Sequence, residues 1–398
     1  MYRDRWKERL GFILTNSDFI KKDDKKVIWI HAVSVGEVEA TTPLVKKLFA
    51  EYSDLQIIMT TTTPTGAETV KRRYADQYDE QIVHYYIPYD LVSFQQRFID
   101  QIKPDLLIIM ETEVWPNLIH VCQKNNIPVM LANARMSESS GKGYQRIAKL
   151  SRPMFSGISE VAAQTDLDAQ RLVSLGVNPD HLIVSGSLKF DQELPEGIEE
   201  KSAMLKKQIG SRHVWIAAST HPGEEEQVLN AHKQILKTLP DCLLILVPRH
   251  PERFQEVFEL CEAYTMTISR RSLDQDINKQ VYLVDTMGDL VKCYGAADVA
   301  FVAGSLTSIG GHNLLEPASL GLPVLMGPYT FKIEKIFQSF LDAGAAFCVK
   351  DSTELEQKVL YFFEHDQERL ETGKKAMKLI KENKGAADRH LELIKRLS

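Results

Sequence analysis

Three side chains in the first half of the chain have types and positions suited to acid–base or charge chemistry. Glu37 follows the apolar run Val27–Val33 and the small residues Ser34-Val35-Gly36, and helical spacing begins around it. Glu111 closes the run Leu106–Met110, and Lys189 stands just past Leu182–Gly186. A glutamate in a first helical turn is stabilised by the helix dipole, which is one complete account of Glu37. The other is a general base that takes a proton from an attacking hydroxyl, with Gly36 letting a ligand approach the backbone. Glu111 reads as a satisfied polar strand end or as a charged group at the mouth of a sheet. Lys189 reads as a surface lysine or as a charge stabiliser facing a carboxylate or an anion.

The second half carries a different set. "PRHPERF" (Pro248–Phe254) places Arg249 and His250 after an apolar run, where they suit a phosphate or a carboxylate. In "GSLTSIGGHNLLEP" (Gly304–Pro317), Gly310 and Gly311 make a tight turn, and His312 and Asn313 are expected to open a short helix. The N–H groups of such a start would face a phosphate, and Glu316, one turn further in, would accept from ribose hydroxyls. A capped Gly-rich turn accounts for the same residues without any ligand. "DTMGD" (Asp285–Asp289), "ASTHPGEEE" (Ala218–Glu226), "TTTTPTGAE" (Thr60–Glu68) and Asn133-Ala134-Arg135 also follow apolar runs. No P-loop, G-x-G-x-x-G or H-E-x-x-H pattern occurs, and the eleven histidines show no metal-ligand spacing. A metal-independent site is expected. Asp166-x-Asp168 and Asp274-x-Asp276 are expected to face solvent.

These residues need elements to position them. Apolar runs recur at Val27–Val33, Leu55–Met59, Ile82–Ile87, Leu106–Met110, Pro128–Leu131, Val161–Gln164 and Leu182–Gly186, with segments of helical period between them. The acidic stretch Asp191–Glu200, with Pro195 and Gly197, breaks the rhythm as a linker does. The alternation restarts with Val214–Ala218, Leu243–Val247, Met266–Ile268, Val281–Val284, Val299–Ala303, Pro323–Met326 and Ala346–Val349. Strand–helix alternation means parallel sheets covered by helices on both faces. The expected fold is therefore α/β, with two doubly wound Rossmann-like domains facing a cleft. Their expected ranges are residues 1–190 and 191–398, with the last helix able to cross back to the first domain. Ligands of such sheets bind beyond the carboxyl ends of the strands, which is where all the candidates fall.

The bulk numbers narrow the class. The chain has 398 residues, 44% hydrophobic and 26% charged, with a net charge of −6, against the basic excess of a dedicated nucleic-acid binder. Five cysteines without a C-x-x-C pair point to buried thiols in a reducing compartment. No apolar run reaches the length of a membrane span. The opening "MYRDRWKERLGFIL" is basic and aromatic. It reads as a solvated first helix or as the cytoplasmic flank of a membrane segment.

Taken in order, "SVGE", "TTTTPTGAE", "METEVWPNLI", "NARMS", "GSLKFD", "STHPGEEE", "PRHPERF", "DTMGDL", "GGHNLLEPA" and "PVLMGPYTF" resemble the 3-deoxy-D-manno-octulosonic acid (Kdo) transferases of Gram-negative bacteria. The resemblance runs from about Tyr2 to the C-terminus. It implies a GT-B fold and metal-independent, inverting transfer of Kdo from CMP-Kdo to the lipid A precursor lipid IVA in lipopolysaccharide synthesis. It places the general base on Glu37 and transition-state stabilisers on Glu111 and Lys189. It places CMP binding on Pro248-Arg249, Met287-Gly288-Asp289 and Asn313-Leu314-Leu315-Glu316, with Gly311 in the adjoining turn. It implies work at the cytoplasmic face of the inner membrane, and an N-terminal anchor that this chain is expected to lack. Lys71–Tyr74, Arg135 and Gly141–Lys149 are candidates for acceptor recognition. The rival readings are a nucleotide-sugar epimerase or other transferase on the same fold, and a two-domain small-molecule binding protein.

Overall fold

The computed structural model describes residues 5–13, 25–78 and 80–397. They form two compact units. One takes in the described residues up to Gln192 and from Asn383 onward; the other is Glu193–Glu382.

The first unit is built on β1 (Lys26–His31), β2 (Leu55–Thr61), β3 (Ile82–Tyr86), β4 (Leu106–Met110), β5 (Val129–Ala134), β6 (Glu160–Ala163) and β7 (Leu182–Val184). All pair in parallel, in the order β3-β2-β1-β4-β5-β6-β7. Burial on both faces is why the central strands are apolar without alternation. Trp29, Leu107 and Ile109 pack against Phe98, Leu118 and Phe155 on one face. Ile28, Ile30 and Ile108 pack against Leu44, Val45 and Leu48 on the other. The strand order reverses between β1 and β4, so the connections leaving these two strands run to opposite faces and leave a crevice at their carboxyl ends.

The second unit repeats the plan with β8 (Val214–Thr220), β9 (Leu243–Pro248), β10 (Ile268–Arg270), β11 (Val281–Leu283), β12 (Val299–Val302), β13 (Val324–Met326) and β14 (Ala346–Cys348). Its order is β10-β11-β9-β8-β12-β13-β14, and the reversal lies between β8 and β12.

The last helix, Ala386–Arg396, belongs to the first unit. Ala386, Leu391, Leu393 and Ile394 join the cluster around Ile28 and Leu44. Asp191 fixes its start by accepting the N–H groups of Gly385 (2.7 Å) and Ala387 (2.5 Å). His390, fully buried, accepts the Asn133 N–H at Nε2 (2.8 Å). Its Nδ1 therefore carries the hydrogen and donates to the Ala386 carbonyl (2.7 Å). Burial lowers its pKa to about 4. A depressed histidine pKa stabilises the fold fully above the unfolded value of about 6.5, and that contribution is lost as pH falls from there through about 4. His390→Leu orphans the Asn133 N–H, so it is expected to cost about 1–3 kcal/mol. It should also flatten the acid limb of a thermal-unfolding series between those pH values; an unchanged limb would remove His390 from it.

The helix whose spacing begins around Glu37 runs Val35–Glu51, so Glu37 lies in its first turn, as one reading of the sequence had it. Several sequence expectations are corrected. The strand expected at Met266–Ile268 is β10, two residues later, because the Met266 N–H still closes the preceding helix on Cys261 (3.2 Å). The stretch Asp191–Glu200 is not linker throughout: Leu188–Asp191 is a 3-10 turn and a helix starts at Ile198. Asp168 is buried, not solvent-facing, because it accepts Met136 N–H (2.9 Å) and Thr165 Oγ1–H (2.5 Å). Four cysteines are buried, but Cys348, on edge strand β14, is exposed. Trp6–Leu10 is a 3-10 turn tied to β3 by Arg5 on the His84 carbonyl (2.6 Å); Met1–Asp4 and Leu14 lie outside the described residues. Among the described residues, no helix is long and apolar enough to cross a membrane.

Candidate active site

Glu37 is the third residue of the helix Val35–Glu51, whose N-cap is Ser34. Its carboxylate folds back over the first turn. Oε1 accepts the Ser34 hydroxyl (2.9 Å) and Oε2 accepts the Val33 N–H (2.9 Å). The side chain is thus held in one orientation, with the residue only 8% exposed. Burial raises its pKa to about 7 against those two hydrogen bonds, and the negative charges of Glu111 and Glu113 push the same way. Glu39 plays no part in this; it is paired with Arg72 (3.1 Å) and Arg73 (3.2 Å). A Cβ added at Gly36 would meet nothing within 4 Å, so the chain beside the carboxylate is open to a ligand.

Glu111 follows β4 with φ +55°, a left-handed conformation that costs a non-glycine residue about 1–2 kcal/mol. The turn places its two oxygens near two cations. Oε1 lies 4.0 Å from Lys189 Nζ, and Oε2 lies 3.9 Å from Arg135 Nη1. Lys189 sits in the 3-10 turn Leu188–Asp191, which is tied to the end of β5 by Leu188 N–H on Asn133 Oδ1 (3.1 Å). Asn133 also has a positive φ (51°), and its buried Nδ2 has no partner among the described residues. Glu37 and Glu111 therefore flank the reversal point of the first sheet, with Lys189 and Arg135 beside Glu111. His31, the last residue of β1, was not singled out from sequence. It is buried with Nδ1 at 3.0 Å from Thr60 Oγ1, and burial lowers its pKa to about 4.

In the second unit, Glu224 was also missed. Fully buried, it accepts four backbone N–H groups. Oε2 takes His221 (3.1 Å) and Gly304 (2.8 Å); Oε1 takes Ser305 and Leu306 (2.9 Å each). One carboxylate thus joins the loops leaving β8 and β12. Its neighbour Glu225, equally buried, pairs with Arg253 (2.6 Å). Arg249 follows β9, with its N–H on the Thr220 carbonyl (3.1 Å), and Pro248 is buried at the strand end. Met287 and Gly288 (φ +90°) are exposed after β11. Burial alone would raise the Asp289 pKa, but Lys292, Thr286 and Arg271 outweigh it and hold it low. Gly311 has φ +82°. The helix beyond it is Leu315–Ser319, so His312 and Asn313 precede it rather than open it. Asn313, one residue before the N-cap Leu314, accepts Leu315 N–H (3.1 Å) and donates to Glu316 Oε1 (3.2 Å). Leu314 and Leu315 have buried side chains, so only their backbones can meet a ligand.

Residues 4–192 match the family model described as 3-deoxy-D-manno-octulosonic-acid transferase (kdotransferase). The 3-deoxy-D-manno-octulosonic acid transferase of Haemophilus influenzae is 41% identical over 401 residues, covering 99% of this chain and 91% of that protein. The chain belongs to the Kdo transferase family. It is accordingly a glycosyltransferase. Its fold is shared with a UDP-GlcNAc 2-epimerase of Neisseria meningitidis (TM-score 0.61, 14% identity, 93% of this chain and 100% of that one). It is shared equally with a glycosyltransferase of Rickettsia africae (TM-score 0.60, 16% identity, 94% and 99%). Two parallel-sheet α/β units of this kind make the GT-B fold.

Within this Kdo transferase, the basic segments offered from sequence for an acceptor are partly spent. Arg72 and Arg73 hold Glu39, Tyr74 is a core residue bonded to Thr41 (2.7 Å), and Lys142 pairs with Glu138 (2.6 Å). Arg135 instead joins the cluster at Glu111.

Proposed function

We propose that the protein transfers Kdo from CMP-Kdo to lipid IVA with inversion, using Glu37 as general base and no metal in the site. The observation that carries this reading is the Glu37 carboxylate, oriented by two hydrogen bonds, raised to a pKa of about 7 and set beside open space at Gly36. A base works best when its pKa lies near the working pH. The acceptor hydroxyl gives its proton to Glu37 while its oxygen attacks the anomeric carbon; the bond from that carbon to the phosphate oxygen breaks, and CMP leaves. A single displacement inverts the centre. Lys189 and Arg135 offset negative charge around Glu111, and Glu111 stabilises positive charge developing on the sugar.

The donor reading places CMP at the strand ends of the second sheet, on Pro248-Arg249, Met287-Gly288-Asp289, Gly311 and Asn313-Leu314-Leu315-Glu316. Arg249 supplies charge for the phosphate without a metal. Arg249→Ala is expected to raise KM for CMP-Kdo by about tenfold to a hundredfold, the worth of a charged hydrogen bond, with a smaller change in kcat. Equal donor KM values in variant and wild type would remove it from the site.

A lipid acceptor places the work at a membrane surface, here the cytoplasmic face of the inner membrane. Trp6, Phe12 and Tyr89 are exposed, with Arg97 over the Phe12 ring (4.2 Å) and the Tyr89 N–H on the Arg9 carbonyl (2.9 Å), and such aromatic and basic residues suit that interface. The deciding experiment incubates the protein with CMP-Kdo and lipid IVA and weighs the lipid by mass spectrometry. Lipid IVA recovered at its original mass while CMP-Kdo binds would overturn the acceptor assignment.

A further inference from the structure

The crevice of the second sheet holds a histidine pair that the donor residues above leave out. His221 follows β8, and His312 lies in the loop that leaves β12, so they stand on either side of the strand-order reversal. Their Nε2 atoms are 2.7 Å apart and their ring planes differ by only 4°. At that distance one nitrogen carries the hydrogen and the other accepts it, so a neutral pair holds one hydrogen between two rings.

The contact is fixed from both sides. Gly304, at φ +69°, has no room for a side chain: a Cβ would lie 2.7 Å from His312 Cδ2 and 2.9 Å from its Nε2. Glu224 binds the backbone N–H groups of both His221 and Gly304. Basic side chains surround the two rings. His250 meets the His221 ring edge-on (5.3 Å), Arg249 and Lys332 act on both rings, and Arg253 acts on His221. Of the acids in the adjoining loops, Glu224 binds four N–H groups, Glu225 pairs with Arg253 and Asp289 with Lys292 and Arg271, while the exposed Glu252 lies 3.9 Å from His250 Nδ1. Burial first, then these positive neighbours, lowers the pKa of His221 to about 4 and of His312 to about 3. An anion entering here would find a ready set of cations and two rings able to accept a proton.

We propose that the His221–His312 pair is the subsite for an anionic group of the donor, a phosphate or a sugar carboxylate, and takes up one solvent proton when that anion binds. The proposal rests on the donor reading above. No bond to the ligand forms or breaks; the proton joins the pair, which becomes an imidazole–imidazolium couple facing the anion.

Isothermal titration of the full chain between pH 6 and 8, in buffers of different ionisation enthalpy, tests this. CMP probes the phosphate and free Kdo the carboxylate. Because the CMP phosphate itself titrates near pH 6, the readout is the difference between wild type and variant. Wild type is expected to take up a proton with one of the two ligands, which names the group bound. His221→Asn and His312→Asn are each expected to lose that uptake and about tenfold in affinity for the same ligand at pH 6.5. Variants that bind and take up protons as wild type does would overturn the proposal. So would binding of CMP or Kdo to wild type with no uptake, or uptake that disappears only in His250→Gln. Failure of wild type to bind either ligand would instead overturn the donor reading, and this proposal with it.

Discussion

Glu37→Gln is expected to lower the turnover of Kdo transfer by about a hundredfold to ten-thousandfold, the range of a general base, while CMP affinity stays within a factor of two or so of wild type. The substitution is nearly isosteric, and the amide repairs its own surroundings. Its oxygen accepts the Val33 N–H and its NH2 donates to Ser34 Oγ, the two groups that hold the carboxylate. A loss of rate therefore reports the missing base and not a collapsed turn. In wild type the base must be ionised, so kcat/KM should fall as pH drops below about 7. Stability runs the other way. A carboxyl whose folded pKa is raised stabilises the fold below its unfolded pKa, and that advantage is lost as pH rises through about 7. Glu37→Gln should thus match wild type in thermal unfolding near pH 4 and exceed it at pH 8. The ceiling is on the order of 3 kcal/mol, from about 1.36 kcal/mol per pKa unit. A variant with near-normal turnover, or one no more stable at pH 8, would contradict the assignment.

Glu224→Ala is expected to cost the second unit about 3–5 kcal/mol and most of its CMP affinity. The stability figure is that of removing one partner from a buried charged network. Four backbone N–H groups, on His221, Gly304, Ser305 and Leu306, would lose their acceptor together. Glu224→Gln is the sharper test. Its single oxygen can serve one pair, but its NH2 would then face the other pair, donor against donor. Glutamine should therefore harm nearly as much as alanine, although it fills the same space. Thermal unfolding and CMP titration of both variants check this, and a Glu224→Gln protein indistinguishable from wild type would show the carboxylate to be dispensable.

Much of the fold was readable because parallel strands covered on both faces must be continuously apolar. Leu106–Met110 was placed to the residue for that reason. β5 runs on past its apolar part through Asn133, whose N–H, carbonyl and Oδ1 bond partners remote in sequence: His390, Gln164 and Leu188. The same distance hid Glu224, which takes three of its four N–H groups from about 80 positions later, and His221, whose partner His312 is 91 positions away. The one local contact, Glu224 on the His221 N–H three positions earlier, looks like an ordinary helix start. Glu37, Glu111 and Lys189 could be picked out as candidates because each stands within a few residues of the end of an apolar run. The Glu37 pKa is raised chiefly by burial and then by Glu111 and Glu113; Glu113 follows no apolar run directly and could not be picked out as a contributor from its place in the sequence.

The return of Ala386–Arg396 to the first unit makes the second unit an insertion within the first. This orders events on the ribosome. At about 5–20 residues per second, translating the intervening stretch takes roughly 10–40 s. Throughout that interval the nascent first unit has a bare apolar face where the last helix will lie and an Asn133 N–H without His390. The second unit, continuous in sequence, has all its strands before that helix is made. Biogenesis therefore runs against the order of the gene: the half that starts first finishes last, and until then its unfinished face is open to chaperones and proteases.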